Sequence, residues 1–139
     1  MENIKKRLTY SLLQMLDLEV AAVLKQFLEG ETSVLFLLFR TGKPHSPSEI
    51  VSELSISKGR VTTLLNSLYD KELIDIKMST DDRRSFNVSI TKKGMEVLLE
   101  KIEVADKYFD KLVERLGVEK SNTLIEILNE TVEIMKEDE

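Results

Sequence analysis

The segment STDDRRSFNVSIT, residues 79–91, places two carboxylates directly before two guanidinium groups. Asp82, Arg83 and Arg84 lie between runs that alternate apolar and polar residues, which is typical of a β-hairpin tip. An arginine at such a tip can enter a nucleic-acid groove, where negative potential attracts the guanidinium group and a nearby carboxylate can orient it. Alternatively, the aspartates favour the turn and pair with the arginines in surface ion pairs of little energetic effect.

A second set of polar residues shares one face of the helix expected between Ser57 and Lys71. The opposite face is apolar, at spacings of three, four and seven residues. Hydroxyl and amide groups can bind base edges or phosphates, and a glycine lets another backbone approach closely. An ordinary solvated face is the alternative, although such faces are usually rich in Glu and Lys, which form helices better than Thr, Asn and Ser. The polar face carries Gly59, Thr62, Thr63, Asn66 and Ser67, with Lys58 and Arg60 at its N-terminal end.

The composition excludes several classes of site. The chain has 139 residues, of which 42% are hydrophobic, and this length favours one domain with a small core. The absence of cysteine excludes disulfides and thiolate metal sites. The N-terminus lacks the apolar region of a signal peptide, and the longest apolar run, residues 34–39, is too short to span a bilayer. We therefore expect a cytoplasmic protein without membrane contact, and we predict no cofactor and no metal site.

Charge is distributed unevenly along the chain, whose formal net charge is −5. Residues 57–93 carry eight basic and five acidic side chains, whereas residues 94–139 carry six basic and thirteen acidic ones. A basic segment within an acidic protein is typical of a local surface that binds a polyanion.

The N-terminal part of the chain is predicted to be helical. Apolar residues recur at steps of three and four between Ile4 and Leu28, which predicts one amphipathic helix that stops at Gly30. Thr32 or Ser33 is expected to cap the next helix, which is apolar nearly all round and should lie in the core.

A helix-turn-helix is predicted after this helix. The segment TGKPHSPSE, residues 41–49, cannot continue a helix because it contains two prolines. Ser46, Pro47 and Glu49 form a helix-start pattern, in which serine caps, proline is the first helical residue and glutamate completes a capping box. A short helix and a turn then lead to the helix that Ser57 can cap.

A hairpin is predicted next, because the apolar period changes from 3.6 to 2 after Leu73. Two further helices should follow, from Thr91 to about Leu116 and from about Glu119 to Lys136. The predicted fold class is mainly α with a small β-hairpin, which corresponds to a winged helix-turn-helix with flanking dimerisation helices. The whole chain, 1–139, is predicted as one domain, in which the winged core covers approximately residues 32–94 and the flanking helices cover 1–30 and 95–139.

The block from residue 46 to residue 94 resembles the winged helix-turn-helix of the MarR family of transcriptional regulators. The shared signs are S-x-x-E at a helix start, a serine-led recognition helix, an N-x-L-x-x-K-x-L-I exit, D-x-R-[AS] at the wing, and a strand running into T-x-K-G. Residues 1–45 and 95–139 match only in helical layout and length. The resemblance implies a sequence-specific DNA-binding transcriptional regulator that is not an enzyme.

The resemblance also assigns roles to individual residues. It places Asp82 and Arg84 at the family's wing pair, with Arg84 inserted into the minor groove of double-stranded DNA. Gly59 and Arg83 are predicted DNA-binding residues as well, from the reasoning on the helix face and the hairpin tip. The recognition-helix positions implied by the resemblance are Ser57, Lys58, Arg60, Thr62, Thr63 and Asn66.

The family further implies a homodimer joined by its first, fifth and sixth helices. Such a dimer would bind a pseudo-palindromic operator, as a repressor, and a small aromatic or phenolic effector would release it. We place a largely apolar effector cleft where the dimer helices meet the winged part, lined by Met15, Phe36, Phe39 and Arg40. Some members of the family sense oxidants through cysteine, and this chain cannot do so because it contains no cysteine.

Two rival interpretations remain open. Ser55 and Lys58 match S-x-x-K, an enzyme motif that needs a lysine one helical turn from a nucleophilic serine, but no accompanying motif is present. His45, the single histidine, has no sequence pattern tying it to a carboxylate, and we expect a loop or short-strand residue instead of a catalytic base. The second rival is a winged-helix module that binds protein without specific DNA binding, against which the polar helix face and the basic middle segment argue.

Overall fold

The computed structural model describes residues 1–78 and 85–139. Within those ranges the chain is mainly α, with one antiparallel two-stranded hairpin, and this confirms the predicted fold class. The elements in chain order are α1 (Glu2–Leu16), α2 (Glu19–Lys25), α3 (Gly30–Thr41), α4 (Pro47–Leu54), α5 (Lys58–Asp70), β1 (Ile74–Met78), β2 (Phe86–Ile90), α6 (Lys92–Leu116) and α7 (Val118–Lys136).

The prediction of one helix between residues 4 and 28 is wrong, because two helices occupy this segment. The chain leaves helical geometry at Leu18, whose ψ is 149°, and α2 begins at the next residue. Asp17 immediately precedes the break, and aspartate is a poor residue for a helix interior. Spacing alone could not reveal the break, because the apolar residues keep helical steps on both sides of it.

The start of α3 also differs from the prediction. Its first residue is Gly30, whose φ of +68° turns the chain into the helix at a position that favours glycine. Ser33 already lies in the first turn, where its Oγ donates a hydrogen bond to the Gly30 carbonyl at 2.6 Å. Thr32 and Ser33 are therefore buried helix residues and not caps, and Gly30 does not end the preceding helix.

The predicted start of α4 is confirmed for the serine cap and the proline, but not for the glutamate side chain. Ser46 is the N-cap, its Oγ accepts a hydrogen bond from the Glu49 amide at 3.2 Å, and Pro47 is the first helical residue. A capping box would bring the Glu49 carboxylate back to the Ser46 amide. Its Oε2 instead lies 3.1 Å from Nδ1 of His45, so the carboxylate takes a different partner.

The hairpin has a third, one-residue strand on its open side. β1 and β2 pair in register from Ile74 opposite Ile90 to Met78 opposite Phe86. Val88 lies in the middle of β2 and exchanges both backbone hydrogen bonds with His45, at 3.0 and 2.8 Å. This bridge confirms that His45 is a short-strand residue.

The core lies where the inner faces of α3, α4 and α5 meet the hairpin and the first turns of α6. It holds the apolar side of α5 in place, so that the opposite side of that helix faces outward. The buried residues of this cluster are Val34, Leu35, Leu37, Leu38, Ile50, Val61, Leu64, Leu65, Leu68, Leu73, Ile74, Val88 and Leu98.

The chain divides into two compact units, Met1–Glu103 and Val104–Glu139. The second unit contains the remainder of α6 and the whole of α7, whose bounds agree with the predicted helices. Neither α1 nor α2 contains a buried residue, and the buried residue of α7 is the polar Ser121. None of the helices in residues 1–78 and 85–139 is long and apolar enough to cross a membrane.

Candidate nucleic-acid interface

Helix α5 is built as the sequence predicts. Ser57 is its N-cap, and the Ser57 Oγ accepts a hydrogen bond from the Arg60 amide at 3.1 Å. Four apolar side chains fix its inner face against the core: Val61, Leu64, Leu65 and Leu68. An N-cap of this kind leaves other amide groups of the first turn free, and these groups attract phosphate oxygens.

The outer face of α5 gathers seven of the predicted DNA-binding residues on one exposed surface, which we call the α5 face. Its side chains are neutral or basic, and the acidic residue of α5, Asp70, lies at the other end of the helix. The seven exposed residues are Ser57, Lys58, Gly59, Arg60, Thr62, Thr63 and Asn66. Their arrangement has the chemistry that contact with phosphates and base edges requires.

The two threonine hydroxyl groups on this face are already engaged as donors. Oγ1 of Thr62 donates to the Lys58 carbonyl and Oγ1 of Thr63 donates to the Gly59 carbonyl, each at 3.0 Å. In this arrangement the two threonines offer lone pairs and methyl groups to a partner. Asn66, one turn further on, presents an amide with donors and an acceptor.

Ser67 does not belong to the α5 face, although the sequence pattern places it there. Its Oγ donates a hydrogen bond to Oε1 of Glu31 at the start of α3. Lys71 donates to the other oxygen of the same carboxylate, at 2.8 Å. Glu31 therefore joins α3 to the C-terminal half of α5, and residue 67 serves the position of the helix.

The carboxylate of Glu31 is held in its charged form. Partial burial acts to raise its pKa, but hydrogen bonds from Lys71 and Ser67, together with the positive charges of Lys71 and Lys101, outweigh this effect. The pKa of Glu31 is therefore lowered from its ordinary value of 4.5. No sequence pattern could have indicated this contact, because Glu31 and Ser67 are 36 residues apart.

We expect Glu31→Gln to reduce the free energy of unfolding by about 1 kcal/mol at neutral pH. Because the pKa is lowered in the folded state, the charged carboxylate stabilises the fold above pH 4.5, and this contribution is lost as the pH falls through the lowered pKa. The difference between the two proteins should thus shrink below about pH 4.5. Urea titrations at several pH values measure this difference in the free energy of unfolding. Glu29→Gln is the control, since Glu29 is exposed and forms a local ion pair with Lys25, the last residue of α2, at 3.8 Å. A constant difference down to pH 3 would contradict the assignment.

The remaining predicted DNA-binding residues stand between β1 and β2 in the sequence. β1 ends at Met78 and β2 begins at Phe86. Asp82, Arg83 and Arg84 lie outside the described residues, so their role stays a prediction.

The four predicted effector residues are not brought together in one cavity of the described chain. Met15 lines an apolar cavity of about 560 Å³ formed by α1 and α2. Phe39 lines a separate cavity of about 230 Å³ between the end of α3, β2 and α6. Phe36 packs edge-on against Phe27, with ring centroids 5.3 Å apart, and Arg40 is exposed.

The enzyme motif noted in the sequence does not form its required geometry. Ser55 is the C-cap of α4, at a φ of +51°, whereas Lys58 is the first residue of α5. The two residues therefore lie on either side of the turn of the helix-turn-helix and not one turn apart on a single helix. Among residues 1–78 and 85–139, no group of three or more histidine, aspartate or glutamate side chains is placed to hold a metal ion.

One buried polar residue was missed by the sequence reasoning. His45 is 4% exposed, and its Nε2 lies 2.8 Å from Oγ1 of Thr41 on α3. Its Nδ1 lies 3.1 Å from Oε2 of Glu49 on α4, a contact that the sequence analysis did not predict. The i, i+4 spacing of His45 and Glu49 was a usable signal, but it spans a helix start, where helical spacing is not assured.

Comparisons with known proteins agree with this geometry. The model of the MarR family matches residues 29–86, which include α3 to β1 and the start of β2. YpoP of Bacillus subtilis strain 168, an uncharacterized HTH-type transcriptional regulator, is 30% identical over 105 residues, which cover 76% of this chain and 74% of YpoP.

Solved structures share the fold along most of the chain. The transcriptional regulator Tm0710 of Thermotoga maritima is 27% identical and superposes with a TM-score of 0.63, covering 98% of this chain and 96% of its own. The transcriptional repressor CouR, solved bound to a 23-mer DNA duplex, is 30% identical with a TM-score of 0.58, covering 72% of this chain and 70% of its own. The sequence matches and the shared helix-turn-helix together show that this chain belongs to the MarR family.

Proposed function

We propose that this protein is a transcriptional repressor that binds a pseudo-palindromic DNA operator as a homodimer. The α5 face carries the proposal, because an exposed helix face without acidic or large apolar side chains suits the major groove. In this proposal two groups of residues contact DNA. The first group lies on the α5 face: Ser57, Lys58, Gly59, Arg60, Thr62, Thr63 and Asn66. The second group belongs to the hairpin tip: Asp82, Arg83 and Arg84.

Repression is the direction of control that the similarity to CouR supports, since that relative is a repressor and binds duplex DNA. A repressor of this kind acts by occupying its operator, so the chain needs affinity and specificity for DNA but no catalytic group. Selection of duplexes from a random pool tests the proposal. We expect the selected sequences to share an inverted repeat, with half-site centres roughly 10 bp apart or a multiple of that spacing.

The dimer is proposed from the apolar side chains that a single chain leaves exposed. On α1, Ile4, Leu8, Leu12, Met15 and Leu16 are each at least half exposed. On α7, Ile125, Ile127, Leu128, Ile134 and Met135 are exposed to a similar degree. Soluble monomers rarely leave two such stripes uncovered, and a second copy with two-fold symmetry would cover both.

We expect sedimentation at micromolar concentration to give twice the chain mass of 16.0 kDa. Leu8→Glu should reduce this mass to that of a monomer, because it places a charge within the apolar stripe of α1. Asn3→Glu is the matched control: it introduces the same charge about 140° away around the helix, at 100° per residue. A wild-type protein that sediments as a monomer, or equal effects of the two variants, would contradict the proposal.

We further propose that a small aromatic effector releases the repressor from DNA. Met15, Phe36, Phe39 and Arg40 remain the proposed contacts, although a single chain distributes them over different places. Met15 lines the largely apolar cavity on α1 and α2, to which the partner chain of a dimer would add further walls, and Phe39 lines a second, smaller cavity. If a panel of aromatic carboxylates neither raises the melting temperature nor releases bound DNA, this part of the proposal falls.

A further inference from the structure

The outer side of α5 has an uncharged stripe along its middle, which we call the central stripe. Steps of three and four residues bring its members to one side of the helix, within an arc of about 100°. All of them are exposed, and the space over the glycine is open, since a Cβ atom there would meet no atom within 4 Å. The central stripe consists of Gly59, Thr62, Thr63 and Asn66.

Positive charge stands on both sides of the central stripe and not within it. Lys58 precedes Gly59 and Arg60 follows it, which places the two basic side chains about 100° away in opposite directions around the helix. Both are exposed, and the acidic residue of α5, Asp70, is its last residue. A helix in the major groove has phosphates on either side and base edges in front of it. The two basic residues therefore suit the phosphates, and the central stripe suits the base edges.

The hydroxyl groups of the two threonines are directed at the helix itself. Oγ1 of Thr62 lies 3.0 Å from the Lys58 carbonyl oxygen, and Oγ1 of Thr63 lies 3.0 Å from the Gly59 carbonyl oxygen. A carbonyl oxygen can only accept, so each hydroxyl group donates its one hydrogen to the helix. Phosphate oxygens also only accept, so they gain no hydrogen bond from these side chains. Each threonine offers a methyl group and oxygen lone pairs to a partner.

We propose that the methyl groups of Thr62 and Thr63 read thymine in each half-site, through contact with its C5 methyl group. The inference deepens the proposed function and rests on it, since it assumes that α5 enters the major groove. The C5 methyl group distinguishes thymine from the other bases on the major-groove side, and a threonine methyl group is a suitable contact for it. Burial of one methyl group corresponds to about a fourfold change in affinity, or roughly tenfold when both half-sites of a dimer are counted.

The same geometry permits a second kind of readout, in which the threonine oxygen accepts from the amino group of cytosine or adenine. Two substitutions separate the alternatives. Serine keeps the oxygen and loses the methyl group, whereas valine keeps a methyl group in a side chain of similar shape and loses the oxygen. Because Thr62 and Thr63 are exposed, the fold should accept both substitutions.

The test combines these variants with duplexes in which deoxyuridine replaces thymine. Deoxyuridine pairs with adenine as thymine does and lacks only the C5 methyl group. An operator duplex selected from a random pool is altered at one thymine at a time, in both half-sites together, and affinity is measured by fluorescence anisotropy at fixed salt. We expect at least one thymine position at which deoxyuridine weakens wild-type binding roughly tenfold.

The ratio of the affinities for the thymine and deoxyuridine duplexes is then compared between proteins. A loss of stability alone does not change this ratio, because both affinities belong to the same protein. Thr62→Ser combined with Thr63→Ser should bring the ratio to about one, whereas the corresponding valine pair should retain the wild-type ratio. Thr123→Ser is the matched control: Thr123 is an exposed residue of α7 whose Oγ1 donates to the Glu119 carbonyl at 3.1 Å, and the wild-type ratio should persist.

Several outcomes would overturn the inference while leaving the proposed function intact. The wild type could bind the selected duplex without discriminating at any thymine, or the selected half-sites could lack thymine. A serine pair that keeps the discrimination would equally exclude methyl readout, and a valine pair that loses it would indicate readout through the threonine oxygen. If the folded wild-type protein binds no duplex at all, the proposed function fails and the inference falls with it.

Discussion

Replacing Gly94 with alanine is expected to lower the free energy of unfolding by about 3 kcal/mol or more. A Cβ atom on residue 94 would lie 2.1 Å from the Leu73 carbonyl oxygen and 2.9 Å from Cγ1 of Ile90. The first of these contacts is with backbone, so no rotation of a side chain can relieve it. Either α6 or the start of β1 must move.

The Leu73 carbonyl cannot move without loss, because it is held by the chain that precedes α6. It accepts a hydrogen bond from the Thr91 amide at 3.1 Å. Thr91 in turn donates from Oγ1 to the Glu72 carbonyl at 2.7 Å, and its Oγ1 accepts from the Gly94 amide at 3.0 Å. The T-x-K-G motif therefore has a physical explanation: threonine caps α6 and joins it to the hairpin, and glycine permits the close approach.

Gly59→Ala is the matched control for this prediction. A Cβ at residue 59 would meet no atom within 4 Å, and alanine is the better helix former. Urea denaturation should show unchanged or slightly increased stability for Gly59→Ala, by up to about 1 kcal/mol. If the free energy of unfolding of Gly94→Ala lies within about 1 kcal/mol of the wild-type value, this result would contradict the close contact between α6 and residue 73.

Arg84→Ala is expected to weaken specific DNA binding by about 1–3 kcal/mol, the range for an arginine that makes an important contact. In the proposed complex this substitution removes a guanidinium group from the minor groove, whose negative potential attracts it. The slope of log K against log salt concentration should also flatten by about one for each arginine removed, or roughly two for a dimer. Arg83→Ala is the comparison: it should weaken binding to all duplexes more evenly if its side chain contacts phosphate alone.

Asp82→Ala separates the two interpretations of the hairpin tip by the sign of its effect. If Asp82 orients Arg84, its removal should weaken binding even though a negative charge near DNA disappears. If the two residues form a surface ion pair and nothing more, removal of that charge should tighten binding. Anisotropy titrations at one salt concentration distinguish these outcomes, and a tighter Asp82→Ala complex would refute the orienting role.

The parts of the fold that the sequence predicted correctly depend on local physics. Alternation of apolar residues identified β1 and β2, because a strand with one buried face has a period of two. Ser46 and Pro47 identified the start of α4, because their effect is confined to one helical turn. The same is true of Ser57 and α5.

The errors occur where distant parts of the chain meet or where a pattern permits two structures. The break at Leu18 leaves the apolar spacing intact, so the stripe was compatible with one helix or two. Ser67 looks like any polar residue on the outer side of α5, and its contact with Glu31 depends on how α3 packs. His45 lies outside the helices and contacts α3, α4 and β2. These contacts depend on how the three elements pack together, which the local sequence does not show.

Competition between duplexes tests the central claim, that the α5 face and the hairpin read a DNA sequence, most directly. A fluorescein-labelled duplex carrying the selected inverted repeat is titrated with protein at 150 mM salt, and a scrambled duplex of the same length and composition competes with it. We predict binding of two chains per duplex and a preference for the selected sequence of roughly 10³-fold or more. Equal affinity for the two duplexes, or no binding by a protein that sediments as a folded dimer, would contradict specific DNA recognition and would favour a module that binds protein.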